Sequence, residues 1–231
     1  MRNLFKVQGF IAYVGMLFLN AFVDLGHKII IQNTVFKIYD GTTQSALIAV
    51  VNALILLPFI LLFTPSSFIS NRFARPYVMR VAAWVAVLIT VLITLCYAQG
   101  WFWAAFAMTL ILASKSAIYS PAKYGYIREI AGTENLVAAN GVVQAATTIA
   151  ILSGMFVFSG LFEYRLASQA SVDTVTGMLQ LMTPLGVLLV LNSVVELVLA
   201  YRVPVLAPAI DVEKQAVPQF HVREYLGGAY L

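Results

Sequence analysis

Asn20, Asp24, Lys28 and Gln32 recur at intervals of four residues, with His27 beside them, in a segment that is otherwise apolar. On an α-helix this spacing aligns the four side chains along one face, and Asp24 precedes Lys28 in the favourable order for an ion pair. An ionisable side chain inside a membrane span costs about 3 kcal/mol on insertion scales, so the stripe must face a bundle interior or a water-filled cavity. Two chemistries fit. The stripe is either an internal ion pair that pins helix packing, or a cavity wall that handles a charged headgroup or a coupling ion. His27 is read as a packed or interfacial residue rather than a proton relay.

Other polar groups need the same scrutiny. Lys115, followed by Ser116, has no acid within one helical turn. It requires a partner on another helix, for which Asp24 is a candidate, or it snorkels to the cytoplasmic surface. Glu196, with Asn192 one turn earlier, is assigned a helix-end role near the end of the last apolar stretch. Ala146, Ala150 and Gly154, again at four-residue spacing, form a strip that permits close helix contact. The single Cys96 offers no disulfide or metal framework, and no metal or cofactor is expected.

The elements that position these residues follow from the distribution of charge. Apolar residues make up 61% of the chain and charged residues 10%, against roughly a quarter charged in a soluble domain. No charge occurs between Asp40 and Arg72, Arg80 and Lys115, Glu134 and Glu163, or Asp173 and Glu196. Each gap exceeds the roughly 20 residues that span a hydrocarbon core. The second is long enough for a helical hairpin, divided at Ala98-Gln99-Gly100 between Tyr97 and Trp101. The sequence thus predicts an all-α membrane protein with six transmembrane helices at about 8–33, 44–64, 77–97, 101–120, 136–160 and 179–201. Residues 1–203 form the bundle, and 204–231 form a cytoplasmic tail or the start of a linker.

With the N-terminus inside, Arg2, Lys6, Arg72, Arg75, Arg80, Lys123, Arg128, Arg202, Lys214 and Arg223 are cytoplasmic, and Lys37 and Arg165 lie outside. This positive-inside bias puts both termini in the cytoplasm and accounts for the net charge of +4 without invoking nucleic acid. The first segment lacks a small-residue cleavage site and is read as a retained helix rather than a signal peptide. Two loops stand out on the cytoplasmic side: Ser67–Arg75 after the second span, and Tyr119–Glu129 after the fourth. In the latter, Pro121 is expected to end or kink the helix, and Gly125 to supply a flexible backbone position. Lys123 and Arg128 are within reach of lipid phosphates, although positive-inside anchoring also accounts for them.

The first loop resembles the major facilitator superfamily pattern G-x-x-x-D-R-x-G-R: Arg72 and Arg75 match, while Ser67, Asn71 and Ala74 replace the first Gly, the Asp and the second Gly. The second carries Ser120, Pro121, Ala122, Lys123, Tyr124 and Gly125, then Ile127–Ile130 and Asn135–Gly141. It resembles the lysophospholipid transporter (LplT) family and the LplT-like membrane domain of Aas-type acyltransferase/acyl-ACP synthetase fusions. Asn20, Asp24 and Lys28 fit the family's polar first helix, and Phe220–Gly228 looks like the start of its central linker.

The resemblance implies the N-terminal half of a major facilitator superfamily fold in a bacterial inner membrane. It also implies movement of lysophospholipid, chiefly lysophosphatidylethanolamine, to the inner leaflet for reacylation. Asp24 and Lys28 would line the cavity, and Lys123 would engage the headgroup phosphate. Partners implied are a C-terminal half or a second copy, and an acyltransferase/acyl-ACP synthetase. Neither His27 nor His221 has an Asp five positions on, and the tail is too short for an enzyme domain, so no acyltransferase activity is expected. The competing readings are a non-transporting membrane-anchoring module for an acyltransferase and a facilitator for another amphipathic solute.

Overall fold

A computed structural model describes residues 4–168 and 174–206. The tail segment Phe220–Gly228, with Lys214 and Arg223, lies outside the described residues, as does Arg2. A short 3-10 turn, Leu4–Lys6, precedes α1 (Phe10–Ile38), α2 (Gly41–Leu61), α3 (Phe63–Arg72) and α4 (Arg75–Gln99). These are followed by α5 (Phe102–Ala131), α6 (Leu136–Ala167), α7 (Val175–Leu181) and α8 (Thr183–Arg202). No strand occurs among the described residues. Six helices, α1, α2, α4, α5, α6 and α8, are long and apolar enough to cross a membrane. Large apolar side chains point outward along them, including Ile60 at 75% and Phe156 at 78% exposure, as a hydrocarbon solvent allows.

Four of the six spanning helices run longer than the sequence suggests. The first extends to Ile38 rather than residue 33, and the fifth to Ala167 rather than residue 160. The largest difference is in α5, which continues eleven residues past the expected end at 120, through Pro121, to Ala131. Proline removes one backbone donor, but burial of Ala122, Tyr126, Ile127 and Ile130 against neighbouring helices holds the extension in place. The loop expected over Ser67–Arg75 is likewise helical up to Arg72, as the end of α3. The last span begins at Thr183, and the segment ahead of it forms the separate α7.

The predicted break in the long apolar stretch is a tight cap. Gly100 adopts φ +70°, its N–H bonds the Tyr97 carbonyl, and Trp101 N–H bonds that of Cys96. This left-handed helix end favours glycine. A Cβ here would also lie 2.3 Å from Thr176 Cγ2.

At the centre, α1 packs against α6 and α8, α4 against α5 and α8, and α2 and α3 against α5. The α1–α6 contact uses the small-residue strip: Ala150, Gly154 and Phe158 are buried on α6, with Gly154 against Phe22 and Leu25. Gly26 returns the close approach from α1, where a Cβ would sit 2.4 Å from the Phe158 ring. Glycine at such contacts lets helices meet without a hydrophobic driving force between them.

The apolar core is divided along the bundle. One cluster holds Phe10, Tyr13, Met16, Leu17, Tyr119, Ala122 and Ala200, towards the end where α1 begins. The other holds Val23, Ile30, Ile93, Leu112, Phe158 and Leu189, towards the opposite end. The polar residues of α1, α5 and α8 occupy the level between them.

Gly26→Ala is expected to lower stability by about 1–3 kcal/mol through overpacking. Thermal unfolding in nanodiscs checks this, and Gly26→Ala with Phe158→Leu should recover part of the loss. Unchanged melting of Gly26→Ala would contradict the close approach.

Candidate functional site

Asp24 is the middle residue of α1, and Lys115–Ser116 lie at the middle of α5. Their meeting is therefore a mid-depth contact. Lys115 Nζ is 3.2 Å from Asp24 Oδ1, and Ser116 Oγ donates to Oδ2 of the same carboxylate. The Lys115 side chain is 3% exposed and that of Asp24 28%, so the carboxylate is the more open of the two groups. Asp24 thus pairs across 91 residues of sequence with Lys115. Lys115 is the partner of Asp24, as the sequence allowed, and no pair with Lys28 forms among the described residues.

One turn back along α1, Asn20 Nδ2 donates to Glu196 Oε1 at 3.2 Å. Glu196 is 2% exposed, within α8 and well inside the bundle, which corrects its expected helix-end role. Counting from the end of the apolar stretch put it near the surface. The α1–α8 contact is what buries it. Glu196 Oε2 has no hydrogen-bond partner, and neither do the buried Tyr119 OH and Ser193 Oγ. Unpartnered buried polar atoms are uncommon.

The opening beside Asp24 is a cleft of about 230 Å³. Its floor is α1 and α5, through Asp24, His27, Lys28, Thr109 and Ser116, and Ile55 and Phe59 of α2 and Ile151 of α6 flank it. Lys28 is half-buried in this cleft and makes no ion pair among the described residues. Because Asp24 is already paired with Lys115, Lys28 is the charge of the cleft left without an ion pair among the described residues. His27 is fully buried, with Nδ1 2.7 Å from Tyr97 OH and Nε2 3.2 Å from Thr109 Oγ1. Both ring nitrogens are engaged, as befits a packed residue. Gln32 lies a turn beyond Lys28, where its Nε2 is 3.5 Å from Asn52 Oδ1 of α2.

The remaining sequence candidates gather at the end where α4 begins. Arg75 donates to Gly125 O at 2.7 Å and to Glu129 Oε1 at 2.6 Å, joining α4 to α5. Gly125 is needed for space there: a Cβ would lie 2.6 Å from Arg75 Nε. Its expected role as a flexible loop position is therefore replaced by a close-contact role inside a helix. Ser120 and Pro121 are half-buried in α5, and Tyr124 is exposed. Lys123, expected near a surface loop, is 7% exposed on the buried face of α5, with Nζ 4.9 Å from the Tyr124 ring centroid. Tyr13 OH donates to its carbonyl at 2.6 Å. Asn71 and Arg72 are exposed at the end of α3, apart from the Asp24 cluster.

Removing one member of a buried ion pair costs about 3–5 kcal/mol, because the other charge is left uncompensated. Lys115→Met and Asp24→Asn should each destabilise the bundle, and the double variant should recover most of the loss. Thermal unfolding of the four proteins in nanodiscs gives the cycle. Additive losses would mean that the two groups are not coupled.

No protein-family profile matches the chain, and no solved structure matches it. A stretch of 52 residues, 22% of this chain, is 48% identical to the lysophospholipid transporter LplT of Photorhabdus laumondii, of which it covers 13%. Similar stretches are 42% identical over 60 residues to LplT of Serratia proteamaculans and 44% over 57 residues to LplT of Yersinia pestis. They cover 26% and 25% of this chain but 15% and 14% of those relatives. The chain is thus similar to bacterial lysophospholipid transporters over about a quarter of its own length and about a seventh of theirs.

Proposed function

We propose that the chain is the N-terminal six-helix unit of a transporter with a major facilitator superfamily fold. Its cargo is lysophospholipid, chiefly lysophosphatidylethanolamine, which it moves to the inner leaflet of a bacterial inner membrane for reacylation. Both termini face the cytoplasm. The observation that carries this reading is the mid-depth cleft, in which an ion-paired carboxylate stands beside a lysine with no ion pair among the described residues. The partial likeness to named lysophospholipid transporters supplies the class of cargo.

A cleft of about 230 Å³ is below the usual range for a whole small-molecule site, and suits a headgroup better than a complete lipid. The phosphate would meet Lys28, and the acyl chain would lie along Ile55, Phe59 and Ile151. Lys123, buried on the next turns of α5, would receive the phosphate at another stage of its passage. A facing unit closes the cleft between α2 and α6, either a C-terminal half or a second copy. The delivered lipid would pass to an acyltransferase/acyl-ACP synthetase partner.

The test is uptake of labelled lysophosphatidylethanolamine by transporter-deficient spheroplasts expressing this chain, with and without a matching C-terminal half. Uptake should appear with both halves and fall at least tenfold in Asp24→Asn and Lys28→Met. Absence of uptake despite verified insertion of both halves would transfer the assignment to a membrane-anchoring module. Reporter fusions at the two termini should both read as cytoplasmic, and an external reading at either would overturn the orientation.

A further inference from the structure

A second groove, of about 300 Å³, lies on the outer side of the bundle between α3, α4 and α5, separate from the Asp24 cleft. Tyr77, Val81 and Val85 line it at four-residue spacing along α4, and Ile118 faces them from α5. From Tyr77 to Val85 the helix rises about 12 Å, close to the depth of one leaflet of a roughly 30 Å hydrocarbon core. No carboxylate lines the groove, and its one charged wall residue, Lys115, is paired with Asp24.

The mouth of the groove is formed by α3. Ile69 and Phe73 line it; Arg72 does not, but it lies one turn after Ile69 on α3 and directly before Phe73 in sequence. Phe73 is 48% exposed there, and Phe63 and Phe68 are exposed elsewhere on α3 at 70% and 62%, as expected of a short helix at a membrane interface. The neighbouring arginines are already engaged: Arg75 by Glu129, and Arg80 by the carbonyls of Ala200 and Val203. Arg72 is different. Its guanidinium lies 5.9 Å from the Phe68 ring centroid and makes no ion pair among the described residues.

A cation with no ion pair among the described residues, next in sequence to a wall residue of a leaflet-deep apolar groove, is complementary to a lipid of negative headgroup. We propose that this groove is a binding site for one anionic phospholipid, with its phosphate at Arg72 and one acyl chain between α4 and α5. The site is independent of the proposed transport cleft and faces the surrounding bilayer.

Native mass spectrometry of the full chain, released from bilayers of equal phosphatidylglycerol and phosphatidylcholine, tests it. Wild type should retain phosphatidylglycerol about tenfold over phosphatidylcholine. Arg72→Gln should abolish the preference, whereas Arg202→Gln, an exposed arginine elsewhere, should leave it intact. Ala82→Phe, which fills the groove, should lower retention of both lipids several-fold, and Val85→Trp serves if that variant does not fold. Equal retention of the two lipids by wild type, equal loss in the two arginine variants, or full retention by folded groove-filling variants would each overturn the site.

Discussion

Charge in the middle of a low-dielectric bundle must be neutralised where it stands, and the rest of this architecture follows from that requirement. Asp24 and Lys115 meet between two apolar clusters, one towards each end of the helices. Neither group can reach water along its own helix without crossing an apolar layer. Their contact therefore fixes the depth of α1 relative to α5. Asn20 and Glu196 apply the same constraint between α1 and α8. The central helix is held at one level by two polar contacts, while the apolar surfaces above and below are non-directional and would tolerate sliding.

This explains what could be read from the chain alone. Six apolar stretches separated by charge are a one-dimensional signal, and the spans follow directly from it. The polar stripe Asn20–Gln32 was equally visible, because periodicity on one helix is local. Pairing between helices is not local. The sequence offers Asp24 two candidate partners, Lys28 one turn away and Lys115 on another helix, and only the packing of α1 on α5 decides between them. Glu196 shows the same limit, since distance from a helix end says nothing about which neighbour covers it. Pro121 misled for a related reason. Its local preference is to end a helix, and burial of the following residues overrides it.

The signature-loop residues separate into two physical roles. Arg75, Gly125 and Glu129 form a joint between α4 and α5 at the bundle's end, where the missing Cβ of Gly125 admits the guanidinium. Arg72, three positions earlier, holds its guanidinium near the Phe68 ring on a helix that displays phenylalanines, and makes no ion pair among the described residues. Adjacent arginines of one motif thus serve cohesion and surface chemistry respectively. The distinction comes from the presence or absence of a carboxylate within reach.

The continuity of α5 has a mechanical consequence. Its 30 residues make a rod about 45 Å long that carries both Lys115 and, about 21 Å further along, Glu129. Sliding the rod along its own axis by one turn, about 5.4 Å, would carry Lys115 off Asp24 and Glu129 off Arg75 together. Pivoting about the mid-depth ion pair needs no such rupture there. One continuous helix thus ties the mid-depth contact to the joint at the bundle's end.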